Sequence, residues 1–377
     1  NGSAVYVNKD AKLIGDNVSF INNTAVYRGG AIYSEGSVNL TNSVFDNNNL
    51  TYRSNAEVAY NGGSAIYNNQ GNLILDNVNV TNHITDITPR NGNNGDKFSA
   101  TVMNYKGDAL INNSYFANNS ASWGGALYVY GNVNDKETKL TVVNSVFEGN
   151  KATFGAAIYV VNAVIDVDNG TFVNNTCIGS GSSGTSNTQG GAILIMEDTK
   201  TSVKSSVSIK NSNFINNSAN KGGAISFATV SGESVVDSCV FIDNNATVSG
   251  GAIRARMNGT AVLNVSNSNF TNNTSPNGSA IINEALLSLS GNNISSTEAG
   301  IVSTGKVVSE LNISIMNEGN NSYNFKTIKL NATITDDNGN LIEDFTLKFI
   351  VSDEKSSYTI NATYHKDANI YTSQFFI

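Results

Sequence analysis

The tetrapeptide Gly-Gly-Ala-Ile, or a close copy of it, returns at Gly29 to Ile32, Gly124 to Leu127, Gly190 to Ile193, Gly222 to Ile225 and Gly250 to Ile253. Looser copies stand at Gly2 to Val5, Gly63 to Ile66, Gly155 to Ile158 and Gly278 to Ile281, with a degenerate one at Ser99 to Val102. These make about ten units roughly 25 to 36 residues apart, a period at which each unit buries its apolar face only against its neighbours. A second motif, Phe-x-x-Asn, falls between the copies, at Phe20/Asn23, Phe45/Asn48, Phe116/Asn119, Phe147/Asn150, Phe172/Asn175, Phe214/Asn217, Phe241/Asn244 and Phe270/Asn273. Two motifs alternating in fixed order define one structural repeat.

Short runs of Val, Ile, Tyr and Thr are separated by Asn and Gly, and only 14% of residues are charged, so strands and turns are expected rather than helices. Aligned on the motif Ile, the units read Val5, Ile32, Ile66, Val102, Leu127, Ile158, Ile193, Ile225, Ile253 and Ile281. This all-aliphatic column points inward. The next column reads Tyr6, Tyr33, Tyr67, Met103, Tyr128, Tyr159, Leu194, Ser226, Arg254 and Ile282. Its drift to Ser and Arg, one residue from an inward position, marks it as outward on a period-2 strand. The tyrosines are therefore expected as an exposed stripe.

Two asparagine positions bracket each Phe strand, one three residues before the aromatic and one three after. Asn tolerates left-handed backbone and can bond backbone groups across a turn, so stacked copies would satisfy the corners of a coil. One Gly-Gly-Ala-Ile strand and one Phe strand per unit are too few for a four-stranded propeller blade. Crossovers between parallel strands are overwhelmingly right-handed. The expected fold is all-β, a right-handed parallel β-helix of about ten coils.

The alternating motifs resemble those of chlamydial polymorphic outer membrane proteins and of the large adhesin-like surface proteins of methanogenic archaea, over about residues 1 to 310. The Asn-rich, Cys-poor composition and the module that follows lean toward the archaeal group. The resemblance implies an extracellular, cell-surface chain that attaches to a glycan or protein on another cell. Asn1 is not Met and Gly2 to Val5 is already the second half of a motif pair, so the chain reads as a segment of a longer protein.

Beyond Asn292 the motifs decay, and 1–316 is assigned to the β-helix and 317–377 to a second module. There Ile328, Leu330, Ala332 and Ile334 alternate, Asp337 to Asn340 reads as a hairpin turn, and Phe345, Leu347, Phe349 and Val351 alternate again. The module resembles a small immunoglobulin-like β-sandwich and falls short of the ~100 residues of a full one, so either further strands follow Ile377 or it is a reduced variant. It would cap the open edge of the last coil.

The net charge of −8, with scattered basic residues, argues against nucleic acid. No apolar run approaches the ~18 residues that span a bilayer as a helix, so this segment is not expected to insert, and a monomer is expected. Two His and two Cys far apart give no zinc or nucleophile site, and no cofactor or metal is expected. Cys239 falls in a column of small inward serines and reads as a buried structural thiol. About twenty Asn-x-Ser/Thr sequons occur, and many, Asn22, Asn118, Asn174, Asn216 and Asn272 among them, fall inside the Phe-x-x-Asn turn, where Asn is already demanded.

Candidate binding residues fall where the repeat is outward or broken. The stripe supplies Tyr33, Tyr67, Tyr128 and Tyr159, and beside it, three residues before the motif alanine, stand Phe98, Trp123 and Phe154. Aromatic ladders bind sugar faces and anchor interfaces, and they also serve as cross-strand partners. Insertions at about 49–61, 84–98 and 177–189 leave from one corner, and the first two should touch. They carry Tyr52, Arg53 and Arg90, with His83 standing in the asparagine column. That group reads either as a recognition surface on loops held by a rigid scaffold or as a solvated loop pair with a histidine replacing a turn Asn.

A β-helix polysaccharide lyase or hydrolase needs carboxylates on adjacent rungs. Asp16, Asp76, Asp168 and Asp237 share a column but never stand on consecutive units, and Asp166/Asp168 is the best local pair. A non-enzymatic adhesin-like protein is expected, with a lyase or hydrolase and a passive structural stalk as the alternatives.

Overall fold

The computed structural model describes residues 2–51, 62–84, 100–131, 137–179, 187–198, 204–259, 261–295, 299–309, 312–316, 327–335, 347–352, 356–368 and 370–376. The strands Val5–Val7 through Ile301–Ser303 form one sheet of eleven, Lys12–Asp16 through Lys306–Ser309 a second of eleven, and Ser19–Ile21 through Asn293–Ser295 a third of ten. Every neighbouring pair within these sheets is parallel, and each coil visits the three in the same order. The protein is all-β, a right-handed parallel β-helix, and no helix occurs among the described residues. One rung more is present than the motif count suggests: at Ile301 the motif has decayed to Ala299-Gly300-Ile301, yet Ile281 still pairs with Ile301.

Both motif glycines have separate physical reasons. The first adopts a left-handed backbone, with φ of 63° at Gly29 and Gly222 and 68° at Gly250, where a side chain would be strained. At the second, coils approach so closely that a Cβ on Gly30 would collide with the Ser64 carbonyl, and one on Gly223 with the Gly251 carbonyl. From the second coil to Ile281 the motif Ala and Ile are buried, and the aliphatic column from Val5 to Ile281 is in unbroken register.

The Phe column stacks inside the third sheet. Phe116, Phe147, Phe172, Phe214, Phe241 and Phe270 form a continuous ladder, with centroids from 4.7 Å to 5.1 Å apart. Coil three interrupts it with Val80, paired to Phe45 on one side and Phe116 on the other. Offset aromatic stacking at this spacing adds to the burial of each ring.

The two asparagine columns divide the labour assigned to them. Those three residues before Phe, Asn17, Asn42, Asn77, Asn113, Asn144, Asn169, Asn211 and Asn267, all take positive φ and turn the chain at an exposed corner. Those three after it point into the coil. Asn175 is representative: its Oδ1 accepts from Asn150 N and Nδ2, and its Nδ2 donates to Phe147 O and Asn217 Oδ1, all within 2.9 to 3.1 Å. The same pattern recurs at Asn119, Asn150, Asn217 and Asn244, so a buried polar column satisfies the turn backbone from inside.

Beyond the coil, Asn312–Met316, Thr327–Thr335, Ile370–Phe376 and Thr363–His365 make a four-stranded antiparallel sheet, and Lys348–Ser352 pairs with Ser357–Asn361 in a separate hairpin. Ala332, Leu347, Phe349 and Tyr371 share one buried cluster. The antiparallel pairing thus reaches back to Asn312, ahead of the boundary at 317. The expected hairpin across Asp337 to Asn340 is corrected. Thr327–Thr335 is already paired on both edges, by Asn312–Met316 and Ile370–Phe376, so Lys348–Ser352 must join another sheet. The turn residues themselves lie outside the described residues.

Candidate functional site

The outward face of the first sheet carries the candidate residues. Its register aligns Tyr6, Tyr33, Tyr67, Met103, Tyr128, Tyr159, Leu194, Ser226, Arg254 and Ile282 as expected. Exposure, however, is corrected. Tyr33, Tyr67, Tyr128 and Tyr159 point out of the coil but are buried, Tyr67 at 1% and Tyr159 at 7%, and only Tyr6 is open, at 53%. With Met103, Val161 and Leu194 they form a second apolar core outside the coil, against which Trp123, Phe154, Tyr105, Tyr130 and Met196 pack. Direction on a strand says which side a residue faces. It does not say whether another layer lies on that side.

Tyr33 stacks between Tyr6 and Tyr67 at 5.7 Å and 5.5 Å, and Tyr128 stacks on Tyr159 at 4.9 Å. Trp123 meets the edge of Tyr128 at 6.1 Å, and the Arg28 guanidinium lies over the Tyr67 ring at 5.1 Å. Burial raises the hydroxyl pKa of Tyr159. The half-exposed aromatic surface is therefore made by Trp123 and Phe154 along one margin and by Tyr105 and Tyr130 along the other, the latter pair stacked at 5.6 Å. Tyr105 and Tyr130 were missed in the sequence. They lie two residues beyond the tyrosine column and so share its face, a period-2 signal that could have found them.

His83 is brought into the coil, away from that face. It is fully buried in the asparagine column, between Asn48, whose Nδ2 lies 3.1 Å from Nε2, and Asn119, whose Oδ1 lies 3.1 Å from Nδ1. Burial pushes its pKa down to about 4, against the opposing pull of the Asn119 hydrogen bond and the Asp46 charge. Of its two sequence readings, the position is that of a histidine replacing a turn Asn. Tyr52, Arg53, Arg90 and Phe98, and the expected contact between the first two insertions, lie outside the described residues.

The aspartates weighed for hydrolysis cap the outer corner. Asp16 accepts from Thr41 and Asn42, Asp76 from Asn112 and Asn113, Asp168 from Asn211, and Asp237 from Ser266 and Asn267. These donors hold the carboxyls of Asp16 and Asp237 below the usual range, opposite to what a general acid requires. Asp166 pairs with Lys139 at 3.6 Å on an exposed surface. Cys239 is buried as expected, and burial raises both the Cys177 and the Cys239 thiols to about 12.

An open groove of about 670 Å³ also escaped the sequence. Lys9, Asp10, Lys12, Glu35, Asn69 and Gln70 line it where three successive turns join the first sheet to the second. Glu35 accepts there from Tyr6 Oη at 2.9 Å and Tyr33 Oη at 3.1 Å.

Fold and face together define a solenoid repeat protein whose first sheet presents an aromatic outer surface. Three stretches, residues 17–35, 113–130 and 238–256, match the Chlamydia polymorphic membrane protein repeat. Each runs from the left-handed corner residue through Phe-x-x-Asn and Gly-Gly-Ala-Ile to the outer face of the next first-sheet strand. The chain thus carries repeats of a surface-protein type. No curated protein and no solved structure matches it.

Proposed function

We propose that the protein is a non-catalytic, cell-surface adhesin-like chain, exposed outside the cell. Its β-helix presents the outer face of the first sheet to a glycan or protein on another cell. The observation that carries this reading is the half-exposed rim of Trp123, Phe154, Tyr105 and Tyr130 around the buried tyrosine layer. Aromatic side chains fixed in this way offer flat apolar faces at little entropic cost, which suits both sugar stacking and protein anchoring. The repeat match supports a surface location. The antiparallel module fits an immunoglobulin-like spacer beyond the last coil, the arrangement implied by the resemblance to methanogen adhesin-like proteins.

A passive stalk is the second reading, favoured by the burial of Tyr33, Tyr67, Tyr128 and Tyr159. Whole-cell binding separates the two. Labelled protein should attach to a panel of microbial cells, and Trp123→Ser with Tyr130→Ser should reduce attachment at least about tenfold, as loss of an interface anchor does. Equal attachment by wild type and the double variant, or none by either, would leave the stalk.

A further inference from the structure

Above Phe154 the margin of the aromatic face changes chemistry. Parallel bridges hold Trp123, Phe154, Gln189 and Lys221 in one column, each about 4.8 Å from the next. In the adjacent column, continuing from Tyr128 and Tyr159, stand Leu194, Ser226 and Arg254. Arg254 folds back across the small Ser226. Its Nη1 donates to Gln189 Oε1 at 2.8 Å, and Nε and Nη2 donate to Glu284 Oε1 at 3.2 Å and 3.1 Å. The Arg254 side chain is 4% exposed and serves as a brace.

That brace fixes the polar groups around it. Gln189 Oε1 is taken by Arg254 and by Ser226 Oγ at 3.4 Å, so the amide is oriented and its Nε2 remains to donate outward. Arg256, on the same strand as Arg254, is 57% exposed, with Nε 3.8 Å from Glu284 Oε2. Arg254 and Arg256 therefore share one carboxylate, Glu284, and Lys221 feels the charges of all three, on a chain whose net charge is −8. Partial burial, and then the neighbouring Arg254 charge, push the Lys221 ammonium pKa down. An arriving anion would relieve that surplus of positive charge.

We propose that this column is a track for an anionic oligosaccharide. Trp123 and Phe154 stack on its sugar rings, Gln189 Nε2 donates to a hydroxyl, and Lys221, two rungs beyond Phe154, holds a carboxylate or sulfate together with Arg256 from the next coil. The aromatic end and Lys221 lie on one margin, and Arg256, in the column of Tyr130 on the other side of the face, comes toward it beside Arg254 and Glu284. The proposal rests on the adhesive reading and specifies the ligand class.

Calorimetric titration of the full chain with a hexameric oligogalacturonate, its methyl ester and a sulfated heparin hexasaccharide tests it. At least one anionic hexamer should bind, with affinity falling as salt rises. The ester, and each of Lys221→Gln and Arg256→Gln, should weaken binding about tenfold, the effect of losing a hydrogen bond to a charged group. Both variants lie outside the core, and an unchanged thermal midpoint checks their folding. Phe154→Ala should weaken acid and ester forms alike, because it removes contact with the sugar ring and not the charge. Failure of both anionic hexamers to bind, measurable but equal binding of acid and ester, or unchanged affinity in the two charge variants overturns the track. If cells still attach in that event, adhesion stands without it, and if no cell attaches, the adhesive reading itself falls.

Discussion

Lowering the pH toward 4 should destabilise the coil through one side chain, His83. The neutral ring links two asparagines: Nδ1–H donates to Asn119 Oδ1, and Nε2 accepts from Asn48 Nδ2, both at 3.1 Å. The Asn48 amide cannot turn over to receive a proton instead. Its Nδ2 also donates to Phe20 O at 2.8 Å, and its Oδ1 accepts from Asn23 N at 2.9 Å and Asn23 Nδ2 at 2.8 Å. A protonated ring would therefore set N–H against N–H inside the coil. The folded pKa of about 4 lies below the ordinary histidine value of 6.5, so between those values the unfolded chain binds more protons and stability must rise with pH.

A pKa held at about 4 against 6.5 in the unfolded chain corresponds to about 3 kcal/mol, present in full above pH 6.5 and lost progressively as pH falls to 4. Against a typical net stability of 5–15 kcal/mol this is a large fraction. Urea unfolding of the wild type and His83→Asn from pH 7.5 down to pH 4 should show it. Substitution by the residue used at this position in neighbouring coils should remove about 3 kcal/mol of the pH dependence while leaving the carboxylate contribution common to both proteins. Parallel stability curves over that range, or an NMR titration placing His83 near 6.5, would refute the reasoning.

Asn175→Ala should cost about 3 kcal/mol in chemical denaturation, since it strands the Phe147 carbonyl and the Asn150 donors inside the coil. Asn144→Ala, at an exposed corner with φ of 49°, should cost only the 1–2 kcal/mol of a left-handed alanine. Gly223→Ala should separate two coils, because the new Cβ collides with the Gly251 carbonyl, and hydrogen exchange should accelerate around Gly222 to Ile225. Cys239→Ser should change stability by less than about 1 kcal/mol, because Ser212 and Ser268 occupy the same column and each donates to the carbonyl two residues before it, as Cys239 does. In the folded wild type both thiols, raised to about 12, should resist a thiol reagent at pH 8 and react only on unfolding.

The coil was legible in the sequence because its constraints repeat. A column of aliphatic residues beside a variable one fixes a strand's two faces, and a Gly that needs positive φ recurs at the same turn of nearly every coil, with Ala100 at φ of 53° in its place in coil four. The candidate site was only half legible for the same reason. Tyr67 and Tyr6 are equivalent by register, yet one is 1% exposed and the other 53%, because what lies outside a strand comes from residues distant in sequence. The groove beneath Glu35 was invisible in the same way. It depends on the stacking of three turns of unequal length, and no single turn carries its signature. In the last module, alternation located the strands but not their partners, since Ile328 to Ile334 reads identically whether its neighbour is the next strand or Ile370–Phe376.

Structural duty and variation are separated within each coil, and that separation is what a binding scaffold needs. The third sheet and its flanking corners hold the stacked phenylalanines, the buried asparagines and the left-handed turns. These positions depart from the pattern in few places, among them Val80 and His83 together in coil three, Ser238 at a left-handed corner, and Ile294 in the last strand of the sheet. The outward column of the first sheet runs instead from Tyr through Met and Leu to Ser and Arg over the same coils. The matched surface-protein repeats span the constrained part and end on the variable strand. A chain built this way can alter its outer face coil by coil, from aromatic at Tyr128 to cationic at Arg254, without disturbing the ladder that stacks it.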